Sequence, residues 1–268
     1  MKKLYFLGPK GTYSEIAANK INEILKFDEM IPISTIAKIV DLVNNDSRSF
    51  GILPIENSIE GIVRPTVDAL LFNNVQINAQ LEIDVRHCLF SNGNKNQIKH
   101  IISHPQALAQ CQRYILNNFD ENVDLIESSS TAAAIKLLEE KDETYAAIAS
   151  LDAGKKYKII DKNINDIEDN KTRFVLISKD SIELAPKTRT SIVFNTINKS
   201  GALLDVLEIF KKYNINLIYL ESRPSKKVFG EYNFFADIDK GIDEIGCALG
   251  EVKANSNFYK FLGSYPTV

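Results

Sequence analysis

Two neighbouring residues, Thr172 and Arg173, carry the clearest chemical signal in this sequence, because they precede the apolar run 174–177. A guanidinium is always charged and binds a carboxylate through two parallel hydrogen bonds. A threonine hydroxyl can donate its proton to a neighbouring oxygen. The pair therefore predicts an anion clamp beside a proton donor at the start of a strand. By itself, the same pattern also fits an arginine that is exposed on a sheet edge.

The composition argues against several other kinds of function. The chain has 32 Lys and Arg against 35 Asp and Glu, a net charge of -3, and no basic block, so we expect no nucleic-acid partner. The apolar run at 4–7 is too short for a signal peptide, and no stretch is long enough to span a membrane. The three cysteines and three histidines lack disulfide or metal-ligand spacing, and nucleotide-binding glycine motifs are absent. We expect a cytoplasmic protein that needs no metal or other cofactor.

The first 180 residues alternate short apolar runs with amphipathic stretches, which predicts a mostly parallel α/β sheet. The two clearest helical patterns cover 16–25 and 107–115. The predicted strands are 4–7, 50–54, 100–103, 146–149 and 174–177.

A second domain is predicted after the polar, proline-containing link 183–188. Its pattern is strand, helix, strand, strand, helix, strand, which is the order of a ferredoxin-like fold. Such a small unit leaves a sheet edge and a sheet face for another copy, so we expect a homodimer or homotetramer. The predicted elements are 190–196, 202–213, 216–221, 231–238, 242–252 and 258–262.

Three predicted helices begin with hydroxyl residues directly after apolar runs or polar turns. Thr12 precedes Glu15 by three residues, which is the spacing of a capping box. Ser103 precedes Gln106 by the same three residues, with a proline in the first turn of the helix. Another helix follows the run 128–131. In open α/β sheets such starts gather where ligands bind, and their N–H groups and dipoles favour anions. They predict a cleft for a small polyanion.

The polar segment 56–61 leaves two interpretations open. Glu56 and Glu60 could perform acid–base chemistry. A segment rich in Glu, Asn and Ser is also typical of a solvated turn.

Six segments together resemble the motifs of prephenate dehydratases, in order and in spacing. The match runs from Gly8 to Tyr265, and its one small departure is Tyr13, where the family more often has Phe. The last two segments resemble signatures of the ACT regulatory domain that is attached to that family. The segments are Gly8-Pro9-Lys10-Gly11-Thr12-Tyr13-Ser14-Glu15, Glu56-Asn57-Ser58-Ile59-Glu60-Gly61, Ser103-His104-Pro105-Gln106-Ala107-Leu108-Ala109-Gln110-Cys111, Asn170-Lys171-Thr172-Arg173-Phe174, Gly201-Ala202-Leu203 and Glu221-Ser222-Arg223-Pro224.

The resemblance implies an α/β fold with a catalytic domain over 1–182 that is built like a type II periplasmic binding protein. Its first lobe would cover about 1–78 and 159–180, and its second lobe about 79–158, with the active site between them. A ferredoxin-like (βαββαβ) ACT domain would cover 189–268. A monofunctional enzyme is expected, without an amino-terminal helical domain of the chorismate mutase type, because Leu4 already belongs to the first strand.

The activity implied by the resemblance is the removal of water and carbon dioxide from prephenate, which leaves phenylpyruvate on the route to phenylalanine. Thr172 would hydrogen-bond the departing hydroxyl, Arg173 would hold a carboxylate, and no cofactor would be needed. Glu56 and Glu60 are less expected near a dianion because carboxylates repel it, and His104 is expected to be structural. The other substrate-binding candidates are Thr12, Ser14, Asn57, Ser58, Ser103, Gln106, Ser129, Thr131 and Phe174.

The resemblance also implies feedback regulation by L-phenylalanine at a site between paired ACT domains. The residues implied for this effector site are Gly201, Ala202, Leu203, Glu221, Ser222, Arg223 and Pro224.

Two other functions stay open on the sequence. An arogenate dehydratase acts on a substrate that carries an amino-acid side chain where prephenate has a keto acid. A non-catalytic amino-acid sensor could have the same domains, although the Thr172-Arg173 pair argues against it.

Overall fold

The computed structural model describes residues 1–197, 199–226 and 230–268 of the chain. These residues form three β-sheets that are covered by helices. The elements up to the first crossing between lobes are β1 Lys3–Leu7, α1 Tyr13–Leu25, β2 Glu29–Ile33, α2 Ile36–Asn45, β3 Ser49–Asn57, β4 Gly61–Ile62, α3 Arg64–Phe72 and β5 Gln76–Asp84.

The second lobe follows, and one long strand then returns to the first sheet. The elements of this part are β6 His87–Ser91, β7 His100–Ser103, α4 Pro105–Gln110, α5 Gln112–Asn118, β8 Asp124–Glu127, α6 Thr131–Leu138, β9 Tyr145–Ser150, β10 Ile159–Asp161 and the returning strand β11 Lys171–Ser178. All five strands predicted for this half are present, and the helix predicted over 107–115 is divided at Cys111 into α4 and α5.

The two sheets of this half are mixed, so the prediction of mostly parallel strands is wrong. The first sheet has the order β2-β1-β3-β11-β5, with β4 on β3, and the second has the order β10-β6-β9-β7-β8. Strand β11 is antiparallel to both of its neighbours because the chain re-enters the first lobe from the second. Since β5 lies wholly in the first sheet and β10 in the second, the lobes divide later than the predicted residues 78 and 159.

The third sheet has the predicted βαββαβ arrangement, with the antiparallel order β13-β14-β12-β15 that is typical of ferredoxin-like folds. Its elements are β12 Arg189–Asn195, α7 Ala202–Lys212, β13 Leu217–Pro224, β14 Tyr232–Ile238, α8 Ile242–Ala254 and β15 Phe258–Tyr265.

The third sheet packs directly on the first sheet. Val193, Phe235 and Leu262 are buried in one core cluster with Val175 and Ile177 of β11. The sheet face that we expected to be free for a second copy is therefore covered by the first lobe. Strand β13 remains an edge strand of this sheet, and its Ile218 and Leu220 side chains are exposed.

Close backbone contact accompanies this packing. Gly263 of β15 has φ +147°, and a Cβ atom there would lie 2.1 Å from the carbonyl oxygen of Ile77 in β5. The backbone of Gln80 also pairs with the chain end, donating from its N–H to Pro266 and accepting from Val268. The third sheet and the first lobe thus form one continuous core. In the described ranges, every helix is too short or too polar to cross a lipid bilayer.

Candidate active site

A cavity of about 330 Å³ lies between the two lobes. The first lobe contributes the end of β1, the start of α1, the end of β3 and one face of β11, and the second lobe contributes β6 and the starts of α4 and α6. Eight of the predicted site residues line this cavity, namely Thr12, Ser14, Asn57, Gln106, Ser129, Thr131, Thr172 and Phe174.

Thr172 and Asn57 are opposite each other on β11 and β3, where the two strands end at the cavity. The Asn57 Oδ1 atom accepts hydrogen bonds from the N–H groups of Ile59 and Glu60, both at 3.0 Å, which fixes the orientation of the amide. Its Nδ2 atom donates to Thr172 Oγ1 at 3.0 Å. Because Asn57 is the donor, the Thr172 hydroxyl hydrogen is left for an acceptor in the cavity.

A buried chain of amides continues from Asn57 into the second lobe. Asn57 Nδ2 also donates to Asn170 Oδ1 at 2.8 Å, and Asn170 Nδ2 donates to Gln110 Oε1 at 3.0 Å. The same Gln110 oxygen lies 3.1 Å from His87 Nε2. All four side chains are at least nine-tenths buried, so this chain of hydrogen bonds holds the two walls of the cavity together.

His87 is a cavity-lining residue that sequence reasoning missed. Because Gln110 Oε1 can only accept, His87 Nε2 donates to it and the ring carries its hydrogen there. His87 Nδ1 has no hydrogen-bond partner among the described residues. Burial lowers the pKa of His87, and the Gln110 hydrogen bond opposes that shift only in part, so the ring is neutral at pH 7.

Tyr13 and Gln110 were also not chosen from the sequence as site residues, although both line the cavity. The Tyr13 hydroxyl donates to the carbonyl of Arg86 across the lobes at 2.7 Å, and burial raises its pKa well above the usual value. Both residues stand inside the matched motifs, which was the available signal.

Two of the three predicted helix caps differ from expectation. Thr12 is the N-cap of α1 but makes no side-chain cap bond; its hydroxyl donates to the Leu7 carbonyl at 3.1 Å. Ser103 donates instead to the Ile148 carbonyl at 2.7 Å and is fully buried, so His104 caps α4 and Ser103 does not line the cavity. A strand-end serine satisfied by the neighbouring strand is unavailable to a ligand. At α6 the cap is Ser130.

Arg173 is the largest departure from the predicted site. Side chains alternate along a strand, so Thr172 and Phe174 face the cavity while Arg173 faces the third sheet. Its guanidinium binds Asp237, as well as Glu56 at 3.0 Å and Gln80 at 3.2 Å. Burial lowers the pKa of Arg173, but the carboxylates, Asp237 first, raise it by more. The geometry therefore does not support the predicted carboxylate clamp.

Ser58 and Glu60, two further residues of the segment 56–61, do not line the cavity. Ser58 Oγ joins two strands' ends, donating to the Asp169 carbonyl at 3.2 Å and accepting from the Lys171 N–H at 3.0 Å. Glu60 lies outside the lining, 3.4 Å from Gln110 Nε2. The described residues that line the cavity include no lysine or arginine, and no cluster of described residues has the composition of a metal site.

The predicted effector residues belong to two elements, the start of α7 and strand β13. Gly201, Ala202 and Leu203 line a cavity of about 240 Å³ at the start of α7. On β13, Glu221 is 3.8 Å from Arg64 and Arg223 binds Asp68 of α3 at 2.9 Å, so this motif contacts the first lobe.

Comparison with known proteins identifies the family. The prephenate dehydratase family model matches residues 4–182. The chain is 41% identical over 273 residues to the prephenate dehydratase of Methanocaldococcus jannaschii, covering 99% of this chain and 98% of that protein. It is 33% identical to arogenate dehydratase/prephenate dehydratase 2 of Arabidopsis thaliana, covering 98% of this chain and 72% of that protein.

A solved structure agrees with this assignment. The prephenate dehydratase of Arthrobacter aurescens in complex with L-Phe superposes with a TM-score of 0.88 at 30% identity, covering 98% of this chain and 90% of that chain. The resemblance of the motifs and the two-lobed α/β fold class are thus confirmed. The chain belongs to the prephenate dehydratase family.

Proposed function

We propose that this protein converts prephenate to phenylpyruvate, carbon dioxide and water. The bond from the ring to its carboxylate breaks, the electron pair enters the ring, and the ring hydroxyl leaves with one proton as water. Aromatisation supplies the driving force. The protein has to orient the dianion and hydrogen-bond the departing hydroxyl.

The observation that carries the proposal is the orientation of Thr172. Asn57 occupies the acceptor side of its hydroxyl, and Thr172 lies on the cavity wall, so the hydroxyl hydrogen can point to a leaving oxygen. A threonine hydroxyl is a very weak acid, so it acts through a hydrogen bond that strengthens in the transition state. His87 and the buried amides hold this arrangement in place across the lobes.

The carboxylates of the substrate would be held by helix starts, because the described residues that line the cavity include no lysine or arginine. Residues of the first turns of α1 and α6 face the cavity from opposite lobes. Their positive dipole ends and hydroxyl donors favour anions.

The test is incubation of the purified protein with prephenate and, separately, with arogenate, following each product by absorbance. We expect turnover of prephenate at a higher kcat/KM than arogenate. Preference for arogenate would make the protein an arogenate dehydratase. Binding of either compound by calorimetry without turnover would make it a sensor.

We further propose that the domain of the third sheet is an ACT domain and that L-phenylalanine inhibits the enzyme by binding there. The protein would work in a reducing cytoplasm. The Gly201-Ala202-Leu203 cavity is also lined by Tyr232 and Phe234 of β14, which pair with β13. Strand β13 is an edge strand with exposed Ile218 and Leu220. Pairing of two copies along β13 would complete an amino-acid site, as a homodimer or a dimer of dimers.

Two measurements test this regulation. We expect phenylalanine to reduce the rate of prephenate turnover, and light scattering to give a mass of two or four chains. A monomer that is insensitive to phenylalanine would contradict the proposal. Replacement of Leu220 by Lys should weaken pairing, while the same change at Leu116, an exposed apolar residue of the second lobe, serves as the matched control.

A further inference from the structure

A buried ion-pair cluster connects the third sheet to the two strands that carry Thr172 and Asn57. Arg173 is 5% exposed and Asp237, on β14, is completely buried. Their side chains form an ion pair between the guanidinium Nη2 and the carboxylate Oδ2. The Arg173 Nε atom binds Glu56 of β3 at 3.0 Å. The substrate reaction proposed above uses none of these three side chains.

The third sheet fixes the position of Asp237 through its own strands. The other carboxylate oxygen, Oδ1, accepts a hydrogen bond from Ser191 Oγ of β12. That hydroxyl lies 2.6 Å from the Tyr265 hydroxyl of β15. Ser191 and Tyr265 are both completely buried. Asp237 is therefore held by three strands of the third sheet while it binds β11.

The cluster lies at an irregularity of strand pairing beside the cavity. Along β11, Thr172 is opposite Asn57 and Arg173 is opposite Glu56, but Phe174 is opposite Pro54, so the register shifts between Arg173 and Phe174. Such bulges bend the strand locally and re-aim the neighbouring side chains. Arg173 binds the strand opposite at this point through Glu56 and the third sheet through Asp237.

We propose that Asp237 is a positioning residue for the reaction: it holds Arg173 and the bulge so that Thr172 and Asn57 keep their orientation toward the cavity. The proposal rests on the proposed function at the cleft. It assigns the third sheet a part in the basal reaction, independent of any effector.

The test begins with the full-length Asp237→Asn variant, which keeps the side-chain shape and one acceptor oxygen, replaces the other oxygen by an NH2 group and removes the charge. We expect kcat for prephenate, without phenylalanine, to fall by about tenfold or more while KM changes by less than about threefold. Asp68→Asn is the matched control, because Asp68 also joins an arginine, Arg223, across the same domain boundary. It should leave kcat within about twofold of the parent.

A double-mutant cycle separates positioning from general stabilisation. If Asp237 acts on Thr172, Asp237→Asn should reduce kcat by less than about twofold when Thr172 is already valine. An equal loss in both backgrounds, or an unchanged kcat in a folded Asp237→Asn protein, overturns the proposal. If Asp237→Asn does not fold, Ser191→Ala removes one hydrogen bond to the carboxylate, and a folded Ser191→Ala protein with parental kcat overturns it too.

The parent protein distinguishes this proposal from the proposed function. If the parent does not turn over prephenate, the proposed function fails, and the positioning is then decided by a crystal structure of Asp237→Asn. We expect the Asn57 Nδ2 to Thr172 Oγ1 distance, 3.0 Å in the parent, to lengthen beyond hydrogen-bond range in the variant. An unchanged distance rejects the positioning role.

Discussion

The two faces of β11 give neighbouring residues opposite surroundings. Thr172 and Phe174 face the cavity between the lobes, whereas Arg173 faces the third sheet and is bound there by carboxylates. Adjacency in a strand therefore separates two side chains instead of bringing them to one ligand. The Thr172-Arg173 motif therefore combines a reactive group with a residue that anchors β11 to the third sheet.

The largest expected effect belongs to the cavity face. Thr172→Val keeps the shape of the side chain but removes the hydroxyl, so kcat for prephenate should fall by about 10³-fold, or about 4 kcal/mol of transition-state stabilisation. Thr172→Ser keeps the hydroxyl and should retain most of the rate. Steady-state kinetics of both variants check this. If kcat of Thr172→Val equals kcat of Thr172→Ser, the Thr172 hydroxyl does not take part in the reaction.

The next effect tests the buried face. Arg173→Met leaves Asp237 buried without its cation, so we expect the free energy of unfolding to fall by about 3 kcal/mol in urea titration. KM for prephenate should change little, because Arg173 does not line the cavity. A large rise in KM at an unchanged free energy of unfolding would instead support the predicted role of Arg173 in holding a substrate carboxylate.

A smaller, pH-dependent effect concerns His87 in the lining of the cavity. Burial lowers its folded-state pKa, so below about pH 6.5 the unfolded chain takes up a proton that the folded protein binds less well. The stability supplied by the neutral ring is thus present at pH 7 and above, and is lost as pH falls through the folded pKa. The difference in thermal unfolding midpoint between the parent and His87→Gln should be smaller at pH 5 than at pH 7. An equal difference at both pH values would refute this.

The smallest effect should come from Lys171, the neighbour on the other side of Thr172. Its ammonium pairs with Glu82 at 3.1 Å, and both side chains are about half exposed. Exposed pairs contribute little because water and salt screen them. Lys171→Ala should leave kcat, KM and the urea midpoint unchanged within error. A marked loss of activity would extend the reactive part of the motif to Lys171.

Local patterns were sufficient for most of the secondary structure. The predicted strands and helices of the βαββαβ half are all present, because hydrophobic periodicity reports directly on burial. Strand direction was not readable, since a strand that returns from another lobe has the same local pattern as one that follows a crossover helix. The break at Cys111 between α4 and α5 was likewise invisible in the apolar spacing.

Eight of the site residues predicted from the sequence line the cavity, and three others do not. Ser103 and Ser58 bind backbone groups of neighbouring strands, and Arg173 binds the third sheet. Each partner is far away in the sequence, so a local pattern cannot predict it. His87 was missed for the related reason that its role depends on Gln110, which approaches from another element.

The family, the order of the elements and the polar residues available for a cleft could be predicted from the sequence, because motifs and periodicity are local properties. The folded structure was needed to show which of those residues share a cavity, which strand face each one occupies, and that Asp237 binds the neighbour of Thr172. Side-chain partners are set by strand pairing and domain packing, which bring together residues from distant parts of the chain.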